Sequence, residues 1–166
     1  MIVWNYVNFL YSENELNAAD SKPKNIKDIS GYSEMTDNKA IKEFVRKTLG
    51  CNCPEEVFQY IDCRTFSGIG GNILPAYEIN IGNRLLIFAA EIDEVDSLRH
   101  VLSKLVQAGV NKRNEQKFNR FRLVLLSDRD VDINQHASEI FNSLPTDEKV
   151  HLHVINKDDF PVNLKN

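Results

Sequence analysis

Cysteine is scarce in this chain and odd in number. There are three in 166 residues, so they cannot all pair, and a disulfide-stapled secreted scaffold is excluded. Long apolar runs are missing too. The longest outside the N-terminus, Leu85 to Ala90, falls far short of the roughly 20 residues that span a bilayer. Met1 to Tyr11 is apolar, but it has no basic n-region and no small-residue cleavage site, and Asn5 and Asn8 interrupt it. It reads as a poor signal peptide. Excess positive charge is also lacking. Twenty Lys and Arg against 24 Asp and Glu leave a formal charge of −4, with a pI near 5.6. That argues against a surface coated for nucleic acid and leaves room only for a local patch. These absences predict a cytoplasmic protein with no membrane partner, whose thiols are free or metal-bound in a reducing compartment.

What is present suffices for one domain. The chain is 42% hydrophobic, and chains of this length bury about two-thirds of their unfolded surface. Residues 1–35 read as an N-terminal extension. The stretch from Ser12 to Asn38 is too rich in Ser, Asn, Asp, Glu and Lys to bury much apolar surface. Val3, Trp4, Tyr6, Val7 and Phe9 could instead dock the extension as an extra strand or helix. Residues 36–157 read as the folded domain and 158–166 as a tail.

From Thr36 the pattern becomes regular. Thr36 or Asp37 can cap a helix whose apolar face is Ile41, Phe44, Val45 and Leu49, with Gly50 as the C′ residue. Pro54 fits the first position of a second, short helix. Arg64 to Ser67 offers a short strand. Tyr77, Ile79 and Ile81 alternate with Glu78 and Asn80. Gly82-Asn83 then turns this strand into a second one, Arg84 to Ala90. Asp93 can cap a long helix that Gly109 ends. A strand follows at Arg120 to Leu126, then a helix capped by Asp132 and closed by Pro145, then a strand at Val150 to Ile155. The predicted fold class is α/β or α+β. A single mixed sheet of about five strands begins as an antiparallel meander and continues with helix-connected parallel strands, with helices packed on it.

The unusual stretch is Leu49 to Phe58, LGCNCPEEVF. Cys53 falls at the predicted N-cap of the short helix, where free amide hydrogens would favour thiolate over thiol. Glu55 and Glu56 in the same turn oppose that by a similar amount. Cys63 lies beyond the helix, at its far end. Three thiols plus one of His100, His136, His151 or His153 would satisfy zinc by count, and an iron–sulfur cluster faces the same ligand shortage. No paired Cys-x-x-Cys knuckle supports either metal. Cysteines at such a turn are most often small buried apolar residues. The segment resembles a phrase, L-G-C-x-C-P-E-E-V-F, found in a group of small uncharacterised prokaryotic proteins. The resemblance implies no substrate or reaction.

Other segments carry weaker signals. Ser67 to Asn72 is glycine-rich but leads to a strand, not into a helix that would cradle phosphate. Asp128 to Glu139 has the length of a calcium loop, yet Ile133 stands where that loop needs glycine. Asp128 and Asp130 remain candidates for a polar ligand or Mg²⁺ at a strand's C-terminal end. His151 and His153 share one face of a strand, which reads as an exposed face. Lys112, Arg113, Lys117 and Arg120, followed by Arg122 and interleaved with Phe118 and Phe121, form a basic loop that could hold an anion or RNA. The order of elements resembles restriction-endonuclease-like cores, but Glu78-Ile79-Asn80 and Glu91-Ile92-Asp93 lack the lysine of their E-x-K motif.

Two functions follow as expectations. The first is thiol redox or metal work at the Cys51/Cys53 turn, with Cys63 as a further candidate. The second is a non-enzymatic adaptor that uses the sheet face or the Lys112–Arg122 stretch on a protein or nucleic-acid partner, or as a homo-oligomer. Neither fixes whether the protein is an enzyme.

Overall fold

The computed structural model describes residues 37–65 and 76–162, all within the unit Glu34–Asn166. The expectations for residues 1–36, the glycine-rich segment and the last residues of the tail lie outside the described residues.

Helix α1 (Asn38–Lys47) starts where the sequence predicts. The Asp37 carboxylate accepts from the Lys39 and Ala40 amides at 2.9 and 3.3 Å, which satisfies two orphan donors of the first turn. Gly50, at φ +62°, closes the other end. Across it the Cys51 N–H reaches back to the Val45 carbonyl at 3.0 Å, a Schellman-type closure that brings the next residue against the core. Glu55–Gln59 form one short 3-10 turn.

Among the described residues five strands form one sheet in chain order: β1 (Ile61–Thr65), β2 (Tyr77–Ile81), β3 (Leu85–Glu91), β4 (Arg120–Leu126) and β5 (Val150–Ile155). The first three are antiparallel, and β3, β4 and β5 are parallel. The mixed sheet predicted from the sequence is present. Gly82 and Asn83 both have positive φ, and the Arg84 N–H closes the β2–β3 turn on the Ile81 carbonyl at 3.0 Å, as the primed turn requires.

Helices α2 (Val95–Glu115) and α3 (Asp130–Asn142) connect the parallel strands. Leu98, Leu102 and Leu105 of α2 and Ile133, Ala137 and Ile140 of α3 pack with Leu86, Phe88, Phe121, Leu123 and Leu125 on one sheet face. Ile41, Phe44 and Val45 of α1 pack with Ile79, Ile81, Leu85, Ile87, Val124 and Leu126 on the other.

Four local expectations need correction. Gly109 does not end α2, which runs on to Glu115. The glycine is there because the buried Phe121 ring occupies the space a Cβ would need. Glu94, not Asp93, stands at the α2 N-cap and makes no side-chain cap bond; Asp93 is held instead by Lys157 at 2.8 Å. Helix α3 begins at Asp130, so Asp132 lies inside its first turn, bound to Arg129 at 3.1 Å, and caps nothing. The first strand is Ile61–Thr65, earlier than predicted, because Cys63 and Ile61 pair with Ile79 and Ile81. Among the described residues no helix is long and apolar enough to cross a membrane.

Candidate functional site

The turn between α1 and the 3-10 segment is pinned at several points. Glu55 is ion-paired with Lys42 and with Arg46, the latter at 2.8 Å. Hydrogen bonds from these two cations hold its carboxyl below the usual range. Arg46 also lies over the Phe58 ring, 4.9 Å from its centroid. The Glu55 charge that would oppose a thiolate at this turn is therefore met by α1, whereas Glu56 stands on the cleft beside Cys53.

Cys51 and Cys53 are joined in a disulfide. This replaces the expected free or metal-bound thiols. The two sulfurs differ in access. Cys51 is 2% exposed, packed in the core cluster beneath α1, whereas Cys53 is half-buried at its margin. Cys53 does not cap a helix, contrary to expectation. Pro54 occupies that position, and the 3-10 turn after it is five residues long, too short to present a helix end to the sulfur.

Cys53 opens onto a cleft of about 410 Å³, which Arg84 and Arg120 also line, with Asn52, Glu56 and Asn119 on its walls. The β3–β4 register brings the basic residues there. Leu85 pairs with Arg120, and the Arg84 carbonyl accepts from the Asn119 and Arg120 amides at 2.8 and 3.2 Å. One predicted redox residue and one predicted anion-binding residue thus meet at a single cleft. Arg84 was not singled out in the sequence. Its only signal is its place directly after the Gly82-Asn83 turn.

Cys63 stays apart from this pair. It lies on the edge strand β1 as a free thiol. Burial first, and then Asp62, push its pKa up to about 11, so it remains protonated at neutral pH and is a poor nucleophile. Among the described residues no group of three or more His, Cys, Asp or Glu is placed to hold a metal ion. The zinc and iron–sulfur expectations find no donor set there.

The basic loop is not a loop. Lys112 and Arg113 belong to the last turn of α2, and both are committed to structural pairs. Lys112 reaches Glu78 at 2.5 Å. Arg113 holds Asp147 through two nitrogens at 2.8 and 2.6 Å and is itself 6% exposed. Lys117 is exposed at positive φ. Of the four, only Arg120 faces the cleft. At the other end of the sheet Asp128 lies 3.6 Å from Lys157, which also meets Glu91 and Asp93 at 3.6 and 2.8 Å. An ammonium thus supplies the cation between these carboxylates, while Asp130 is the first residue of α3.

His151 and His153 are half-buried, not exposed as predicted. The His153 ring accepts from Arg122 at 2.7 Å. Arg122, the last residue of the basic stretch read from the sequence, is buried within β4. Its burial is legible in the alternation, since it shares its face of β4 with Val124 and Leu126 as well as with Arg120.

Comparison of the chain with known family models, with curated proteins and with solved structures finds no match.

Proposed function

We propose that the protein carries out thiol–disulfide exchange, with Cys53 as the sulfur that meets the substrate and Cys51 as its resolving partner. The observation that carries this reading is the asymmetry of the pair: one sulfur sits in the core and the other faces a cleft with two arginines. In the reducing direction, the Cys53 thiolate attacks a substrate disulfide and forms a mixed disulfide, and one substrate thiolate leaves. Cys51, losing its proton to solvent, then attacks the Cys53 sulfur. The second substrate thiolate leaves and the Cys51–Cys53 bond closes. The substrate gains two electrons and the protein loses two. An external thiol running these steps backwards resets the pair. Arg84 and Arg120 suit a substrate that carries carboxylates, because a cationic cleft draws anions in.

Equilibration with glutathione redox buffers, followed by alkylation and mass measurement, tests this. Cys51 and Cys53 are expected to titrate together as one two-electron couple, with Cys63 outside it. Arg120→Ala is expected to slow exchange with anionic glutathione by about tenfold and to leave exchange with an uncharged dithiol unchanged. A pair that stays in one state across all buffers, or equal slowing with both thiols, refutes the reading.

A further inference from the structure

The β4–β5 half of the sheet carries a second feature, which shares Arg120 with the cleft beside Cys53. Arg122 is 5% exposed. Every other buried or half-buried Lys or Arg among the described residues has a carboxylate within ion-pair distance: Lys42 with Glu55, Lys112 with Glu78, Arg113 with Asp147, and Lys157 with Asp93. Arg122 has none. Its Nε is buried and has no hydrogen-bond partner. Its Nη1 donates to His153 Nε2 at 2.7 Å. A guanidinium has only donors, so His153 is neutral and carries its ring proton on Nδ1.

Among the described residues the neighbours add positive charge and no negative charge. His151 is the register partner of Arg122 on β5. Arg120 lies two residues before Arg122 on the same face. Burial, and after it Arg122, hold His153 down at about 4 and His151 below its usual value. Arg120 acts on Arg122 in the same sense. Among the described residues no carboxylate acts on any of these three. A buried charge with no counter-charge is costly. Nitrogen donors gathered on one face, one of them buried and unused, make the arrangement that binds oxyanions through charge-assisted hydrogen bonds.

We propose that Arg122, His153, His151 and Arg120 form a receptor for a small oxyanion, the phosphate or carboxylate group of a ligand, on the sheet face shared with α1. The anion takes the unused Arg122 Nε and supplies the counter-charge that the cluster lacks. Because the ligand neutralises the surrounding cations, it also makes both imidazoles easier to protonate.

The test uses the full chain, titrated with inorganic phosphate and separately with acetate, while long-range ¹H–¹⁵N spectra follow the His151 and His153 rings. Saturable shifts of both rings are expected with at least one of the two anions, at a Kd of about 1 mM or tighter, and the tighter anion identifies the ligand's group. Arg122→Met is expected to abolish the response. Lys117→Ala and alkylation of the reduced cysteines are expected to leave it intact, which separates this site from the thiol reading. If Arg122→Met fails to fold, His153→Gln with Arg120→Ala serves instead and is expected to weaken binding several-fold. No saturable shift with either anion, or an unaltered response in these variants, overturns the proposal.

Discussion

Gly109→Ala isolates a single packing contact whose sign is contested by two effects. Alanine is the better helix former, by about 1 kcal/mol, so an exposed interior glycine of α2 would gain stability on replacement. Gly109 is buried. A Cβ built there stands 2.0 Å from Phe121 Cζ and 2.3 and 2.4 Å from its two Cε atoms. Carbon atoms prefer separations of about 3.5–4.0 Å, so the ring or the helix must shift by more than about 1 Å. The ring has little freedom to yield. Phe121 is fully buried and packs edge-on against Phe88, with centroids 5.2 Å apart. Overpacking of such a core costs about 1–3 kcal/mol, and this contact belongs at the upper end because three ring atoms are struck at once. After the helix gain is subtracted, the net loss is about 1–2 kcal/mol, a fall in Tm of about 3–10 °C. Thermal unfolding followed by circular dichroism measures it. A second variant, Gly109→Ala with Phe121→Leu, removes the struck ring atoms and is expected to lose less than the sum of the two single changes. A Gly109→Ala protein as stable as the parent, or strictly additive losses, would refute the steric account of why α2 carries a glycine there.

Two further expectations concern stability. Asp147 is held down at about 2 from 3.8, chiefly by the Arg113 hydrogen bond. A carboxylate depressed in the folded state contributes fully above pH 3.8 and loses that contribution as pH falls towards 2. Asp147 is 45% exposed, so solvent screening reduces the effect, and Asp147→Asn is expected to cost about 1 kcal/mol at pH 7. Urea unfolding at pH 7 and near pH 2 should show the gap between parent and variant closing at the lower pH; a gap that persists there would break the argument. At the hairpin tip, Gly82 has φ +58°, and an added Cβ would meet the Val57 carbonyl oxygen at 2.5 Å. Gly82→Ala combines left-handed strain with a backbone clash and is expected to lose about 2–4 kcal/mol, read as a lower urea midpoint. An unchanged midpoint would mean the tip does not dock on the 3-10 turn.

Much of the fold was legible because local signals agreed with each other. Asp37, the 3.6-residue stripe to Leu49 and Gly50 mark both ends of α1, and the structure uses all of them. The Gly82-Asn83 turn fixes the β2–β3 register in the same way. Misreadings arose where a residue answers to a distant partner. Gly109 looks like a helix end, yet it exists for Phe121, twelve residues on. Asp93 and Asp132 look like caps, but Asp93 answers to Lys157 and Asp132 to Arg129. The candidate site was half legible. The Cys51/Cys53 turn is visible as spacing, whereas the meeting of Cys53 with Arg84 and Arg120 depends on which strands lie side by side. Lys112 and Arg113 resemble a free basic cluster in the sequence because Glu78 and Asp147, which neutralise them, are each 34 residues away.

Topology explains why both unusual features share one face. Strands β3, β4 and β5 run parallel in spatial order, and the two connecting helices pack on a single side. That side is closed by long apolar stripes. The other side is served by α1, the short 3-10 turn and Phe160, which are smaller elements. Their apolar cluster takes only Val124 and Leu126 from β4, with Ile155 of β5 at its margin. Arg120, Arg122, His151 and His153 hold the remaining positions on that face, where alternation would otherwise place apolar side chains. Arg120 belongs to both features: it lines the cleft beside Cys53 and stands two residues from Arg122 on the same strand face. The cysteine turn and the arginine–histidine cluster are therefore neighbours through the parallel register, which pairs Leu85 with Arg120 and Ile87 with Arg122. Polar chemistry collects on this face because its apolar cover is the shorter one.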